Sequence, residues 1–114
     1  MIYRTFDVVV VPFPFTDRAA SKRRPALVLS DAEAFGARIA QSVLAMITSA
    51  AHSDWPLDAA ITDLKSAGLP SPSIVRMKLF TLDHQLVLRR AGALSARDRE
   101  TVARSLRRLF KAAL

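Results

Sequence analysis

Residues 6–30 read FDVVVVPFPFTDRAASKRRPALVLS. Two apolar runs flank a polar loop. Val8-Val9-Val10-Val11 is short, continuous and β-branched, the composition of a strand buried on both faces. Pro12 and Pro14 close that strand, because proline donates no ladder hydrogen bond and fixes φ. Pro25-Ala26-Leu27-Val28-Leu29 is a second strand, with proline tolerated only at its start or on an edge. Thr16 to Arg24 is the loop between them, and it carries Arg18, Lys22, Arg23 and Arg24. Arg24 stands where this charged loop enters the apolar strand. The core can hold its stem there while the guanidinium stays at the surface, which suits a cation aimed at a phosphate.

Working outward, Asp31 to Arg38 reads as a connection with a turn at Gly36. Ile39 to Thr48 reads as a third strand. Val43, Ala45 and Ile47 fall on one face, and Ser42, Leu44, Met46 and Thr48 on the other. It ends at two hydroxyls, Thr48 and Ser49. Ala50 to Pro56 is a loop carrying His52, Asp54 and Trp55. Leu57 to Ile61 is a short strand, and Thr62 to Ser73 is a turn-rich connection with Gly68, Pro70 and Pro72. Ile74 to Leu82 is the next strand, broken at Asp83-His84-Gln85. Leu86 to Arg90 is another, and Gly92 marks a turn.

The last element is a helix. Ser95 is its N-cap, with Asp98 three residues on in a capping-box-like arrangement. Val102, Leu106, Leu109, Phe110 and Ala113 form an apolar stripe. Arg97, Arg99, Arg104, Arg107, Arg108 and Lys111 make the rest a solvated face. Short strands followed by a terminal helix predict a mainly β, α+β fold. The expected architecture is a small bent antiparallel sheet or barrel with one helix on it, a single domain over residues 1–114.

An apolar fraction of 51% suits a packed core. The chain has no cysteine, so disulfides and thiolate chemistry are out. His52 and His84 lie far apart without zinc-ligand spacing. No run approaches the roughly 20 apolar residues of a membrane helix, and the first residues lack the pattern of a secretory leader. A cytoplasmic location is therefore expected. The net charge of +7 favours polyanions, nucleic acid first, with an acidic protein as the other reading.

Glycines are scattered singly, so no phosphate-cradling loop is present. The carboxylates form no set at metal-ligand spacing, which disfavours magnesium-dependent nuclease chemistry. No metal and no cofactor is expected. RNA can be cut without a metal, because its 2′-hydroxyl attacks the adjacent phosphate. A protein need only position the phosphate, move protons and stabilise charge. Arg24 and Thr48 are candidates for that work if their strand ends meet. The plainer readings are a surface cation and a strand-end hydrogen bonder.

The segments VVVVPFPFTD, SKRRPALVLS, AMITS and GLPSPSIVRMKLFTLD together resemble the PemK/MazF family of toxin endoribonucleases, over nearly the whole chain. The resemblance implies an SH3-like barrel shared with the CcdB gyrase poisons, usually as a homodimer. It implies metal-independent cleavage of single-stranded RNA, leaving a 2′,3′-cyclic phosphate and a 5′-hydroxyl. It also implies a cognate antitoxin whose acidic tail occupies the RNA groove. By the same resemblance Arg24 matches the catalytic arginine and Thr48 the catalytic threonine. Phe15, Thr16, Ser21, Lys22 and Arg23 fall in or beside the loop that flanks the groove. Ser49 would help bind RNA, and Lys78 stands where many relatives have an RNA-contacting glutamine. Three positions depart from the family pattern: Ala19 replaces a loop glutamate, Phe6-Asp7 replaces glycine-aspartate, and Phe80 replaces an arginine. Two alternatives share the fold. A gyrase-directed toxin would not need Arg24 and Thr48, and a nucleic-acid-binding barrel would bind RNA in a salt-dependent way without cutting it.

Overall fold

The valine run forms the strand expected of it, and its two-sided burial has a direct cause. The structure, a computed structural model, describes residues 2–13, 22–51 and 55–111. Strand β1 spans Asp7–Phe13. Val8 points into one core with Leu27, Ala45, Ile47 and Val75. Val9 and Val11 point into a second core with Tyr3, Ala26, Val28 and Leu44. Alternate side chains of one strand thus feed cores on opposite faces of the sheet.

The remaining strands are β2 (Lys22–Val28), β3 (Gln41–Ser49), β4 (Ala59–Ala60), β5 (Ser73–Asp83) and β6 (Arg89–Ala93). They form an antiparallel sheet in the order β4-β5-β3-β2-β1-β6. Irregularities in pairing lie at Val8/Val9 between β1 and β6, and at Ala45/Met46 between β3 and β5. Such bulges bend strands and raise twist, and here the sheet curls into a half-barrel. Helix α3 (Ala96–Leu109) covers the first core, with Val102 and Leu94 fully buried against it. The mainly β, SH3-like fold with a terminal helix is therefore present.

Several boundaries differ from the sequence reading. Pro12 does not end β1; it lies inside the strand and pairs with Arg23. Lys22, Arg23 and Arg24 are not loop but the first residues of β2, held by pairing with Phe13, Pro12 and Val11. Pro25 is tolerated within β2 because the β2–β3 ladder stops at Ala26↔Met46, one residue before it. The connection 31–38 holds a wide helical turn, Ala32–Gly36, that runs into α1 (Ala37–Ile39). Asp31 caps it by accepting from the Ala34 N–H at 2.8 Å. Gly36 sits in that helical turn, not in a reverse turn.

The connection 62–73 contains a one-turn helix, α2 (Leu64–Ala67), capped by Asp63 and closed by Gly68 at φ +72°. A Cβ on Gly68 would lie 2.1 Å from the Ala91 carbonyl oxygen, so the position needs glycine for both its backbone angle and its space. Gly92 lies inside β6, opposite Val8. Its missing side chain lets the strand pass α2, since a Cβ there would meet the Ser66 carbonyl oxygen at 2.3 Å. The sheet strand expected at 86–90 accordingly starts later, at Arg89, after a short 3-10 turn at His84–Leu86. The strand expected at 57–61 shrinks to two residues.

Phe6, where the resemblance placed glycine in many relatives, has φ +73°. That left-handed angle costs a non-glycine residue. The phenyl ring offsets part of the cost by packing on the core around Val8 and Leu27. Next to it, buried Asp7 accepts from the Arg4 N–H at 2.8 Å and pairs with Arg90 at 3.1 Å.

On α3 the Ser95 hydroxyl accepts from the Asp98 N–H at 3.3 Å, so the N-cap is as expected. The Asp98 carboxylate does not complete a capping box. It is 1% exposed and reaches away to α2's lead-in, accepting from Thr62 N–H, Thr62 Oγ1 at 2.7 Å and Asp63 N–H at 3.0 Å. The expected apolar stripe packs only in part. Val102 is buried, but Leu109 is 39% and Phe110 44% exposed, and Phe110 borders an open hollow over Leu29, Val43 and Leu79. Ala113 lies outside the described residues.

His84 closes the second core. Its Nε2 lies 2.7 Å from the Ser42 hydroxyl, and its ring meets Tyr3 edge-on at 4.9 Å. Burial pushes its pKa below the ordinary 6.5, against the pull of nearby Asp83. The unfolded chain therefore binds the proton more readily than the folded one, and stability falls as pH drops below about 6.5. Thermal melts from pH 8 to pH 5 are expected to show this decline, and His84→Gln, which keeps a polar partner for Ser42, is expected to flatten it below about pH 6.5.

Candidate nucleic-acid interface

Continuing the β2–β3 register two places beyond Ala26↔Met46 sets Arg24 opposite Thr48. The strand ends do meet. Lys22, Arg23, Arg24, Pro25, Thr48 and Ser49 line one cleft of about 380 Å³. Its far wall is Leu69, Pro70, Ser71 and Ser73, brought there by β5, whose Ile74 and Ser73 pair with Thr48 and Ser49.

A second hollow of about 310 Å³ shares Arg23, Arg24 and Pro25 and extends to Val10, Leu88 and Arg89. Arg24 lies at the junction of the two. Arginines line both, Lys22 joins them in the first, and among the described residues no carboxylate lines either. Anions are favoured wherever such cations converge on a concave surface.

Arg24 is half-buried, and its guanidinium carbon lies 4.9 Å from the Phe13 ring centroid. Its Nε–H is buried and makes no hydrogen bond to the described residues. A buried donor of a permanent cation is costly to leave unpaired, and an anion in the cleft is the partner that chemistry favours. Ser49 Oγ accepts from the Ala51 N–H at 3.2 Å, which holds the strand end in a local turn. Ser73 Oγ donates to the Ser71 carbonyl at 2.8 Å and stiffens the opposite wall.

Of the residues singled out from the sequence, Lys22, Arg23, Arg24, Thr48 and Ser49 converge. Lys78 does not join them. It lines a separate depression of about 190 Å³ with Phe13, Met46, Leu79 and Phe80, next to the cleft through Phe13. Phe15, Thr16 and Ser21 lie outside the described residues, as do Ala19, His52 and Asp54. Arg89 and the Leu69–Ser73 wall were not foreseen. The paired prolines and serines of 70–73 were the available signal, read only as turn chemistry. Among the described residues no three His, Asp or Glu side chains cluster as metal ligands. No described helix is long and apolar enough to cross a membrane.

A curled antiparallel half-barrel, a terminal helix and a basic cleft at the β2–β3 ends define a class of small toxin domains. The family model for the PemK-like, MazF-like toxin of type II toxin-antitoxin systems matches residues 4–110, and the chain belongs to that family. Solved structures agree on the fold. The MazE–MazF complex of Deinococcus radiodurans (Form-II) superposes with a TM-score of 0.73 at 20% identity, covering 96% of each chain. The toxin MazF-mt6 of Mycobacterium tuberculosis gives 0.73 at 19% identity, covering 95% of this chain and 99% of that one. An endoribonuclease from a mycobacterial species, solved with its cognate antitoxin, gives 0.74 at 15% identity over 98% of both chains. No curated protein matches the chain by sequence.

Proposed function

We propose that this toxin is a metal-independent endoribonuclease that cuts single-stranded RNA by transesterification. The RNA 2′-oxygen forms a bond to the adjacent phosphorus as the P–O5′ bond breaks. One proton leaves the 2′-hydroxyl and one reaches the departing 5′-oxygen, giving a 2′,3′-cyclic phosphate and a 5′-hydroxyl. Arg24 pairs with the phosphate oxygens, and the Thr48 hydroxyl donates to the charge that builds on them in the transition state. Arginine keeps its proton across the physiological range and is a poor general base. Its part is electrostatic, and the base is a different group.

The observation that carries this reading is the convergence in one cation-lined cleft of Thr48 and Arg24, whose buried Nε–H has no acceptor among the described residues. Family membership supports it. The protein acts as a homodimer and is held in check by a cognate antitoxin with an acidic segment. The +7 charge suits that partner as well as RNA, and two of the structures of similar fold are toxin–antitoxin complexes.

The reading is tested by incubating purified, antitoxin-free protein with a long single-stranded RNA and mapping the cut ends. Discrete cuts with cyclic-phosphate ends are expected, at rates within about twofold in EDTA and in magnesium, because no step needs a metal. A strict magnesium requirement would refute the mechanism, and salt-dependent binding without cuts would leave a binding protein.

A further inference from the structure

We infer that Trp55 is the stacking platform for an RNA base beside the scissile step, an inference that rests on the ribonuclease reading above. The indole is 42% exposed, although the chain has a single tryptophan to spend. Two cations flank the ring: the Arg76 guanidinium carbon and the Lys78 ammonium each lie 5.5 Å from it. An exposed aromatic face among cations is how proteins hold unpaired bases and their phosphates.

The platform is built rather than incidental. Asp58 binds Arg76 through both oxygens, at 3.2 Å to Nε and 2.9 Å to Nη2. The same carboxylate accepts from the Trp55 N–H at 3.4 Å, and the Asp58 N–H donates to the Trp55 carbonyl at 3.3 Å. One residue thus fixes both the indole's backbone and the guanidinium beside it. Preorganised groups lose less entropy when a ligand arrives.

The path from the cleft is continuous. Arg24 stacks on Phe13, and Phe13 lines the 190 Å³ depression together with Met46 and Lys78. Met46 pairs with Arg76 and lies two residues from Thr48 on the same face of β3, about 7 Å along the strand. Lys78 then reaches Trp55. A strand with its scissile phosphate at Arg24 and Thr48 would run over this depression and meet the indole.

The indole reports on itself, being the single source of tryptophan fluorescence. Titration with a 2′-O-methyl RNA oligomer, which cannot be cut, is expected to quench its emission saturably. The same oligomer with one abasic site at the stacked position is expected to quench much less. Trp55→Ala is expected to raise KM for RNA about tenfold, the worth of one stacked base, with kcat within about twofold. Trp55→Phe should recover most of the loss. Cleavage by the wild type with unquenched tryptophan and an unchanged KM in Trp55→Ala would overturn the inference and leave the ribonuclease standing. An emission shielded from both RNA and acrylamide would also overturn it, since a second copy or another protein would then own the ring. Quenching without any cleavage would instead count against the ribonuclease.

Discussion

Arg24→Ala is expected to lose RNA cleavage by at least about 10²–10³-fold, and growth arrest with it, while the protein stays folded. The two halves of this expectation have different origins. In the transition state the guanidinium faces charge that grows on the phosphate, where a fixed donor is worth most. In the folded protein alone its contribution is small. The Nε–H has no acceptor among the described residues, and stacking on Phe13 is worth about 0.5–1 kcal/mol at a half-exposed site. Circular dichroism and melting temperature should therefore move little. Arg24→Lys keeps the charge but loses the planar fork, so it should rescue only a small part of the activity. Toxicity undiminished in Arg24→Ala at equal expression would remove Arg24 from the mechanism.

Asp98→Ala is expected to destabilise the fold strongly. The carboxylate is 1% exposed and joins α3 to the segment before α2. Truncation leaves the Thr62 N–H, the Thr62 hydroxyl and the Asp63 N–H without their acceptor. Stranded donors that had bonded to a charge cost together about 3–4 kcal/mol. For a domain of this size that corresponds to a fall in Tm of roughly 15 °C. Burial alone would push the Asp98 pKa up, but the donors of Asp63 and Thr62 outweigh it and hold the carboxyl below its ordinary value. Its contribution is thus complete above about pH 4 and is lost as pH falls through the depressed folded pKa. Melts at pH 7 and pH 3 should show the wild type approaching Asp98→Ala at the acid end. An Asp98→Ala melt within 2 °C of wild type would show that the three donors find other partners.

How much was legible in the sequence depended on whether the signal was local. Val8 to Val11 announced a strand buried on both sides, because four β-branched residues in a row have few other uses. The two faces of β3 were legible from alternation, and the Ser95 cap of α3 from its residue type. The charged start of β2 was not, since Lys22-Arg23-Arg24 reads as loop until Phe13, Pro12 and Val11 are seen paired with it. Helix α2 is one turn long, too short for a periodic pattern, and shows itself only by Asp63 and Gly68 at its ends. Gly92 reads as a turn because close passage of a strand over a helix leaves the same residue as a turn does.

The candidate site divides along the same line. Arg24 and Thr48 were legible as single residues, the one by its place before Pro25 and the other by closing β3. Their meeting was not, because it depends on a register between strands 20 or so residues apart. Leu69 to Ser73 and Arg89 enter the clefts through pairings of β5 and β6 that no local pattern encodes. Asp98 reads locally as a partner of the Ser95 cap, whereas three donors from residues 62 and 63, which no local pattern brings near, hold its carboxylate.

The central claim is that the RNA's own 2′-oxygen attacks the phosphate held by Arg24 and Thr48. It is tested most directly with a single-stranded RNA carrying one 2′-deoxy nucleotide immediately 5′ of a mapped cut. Incubated with wild-type protein in EDTA, that linkage should remain intact while unmodified sites in the same molecule are cut at their usual rate. Cleavage of the deoxy linkage at an undiminished rate would mean that water, not the 2′-hydroxyl, is the nucleophile, and would contradict the mechanism.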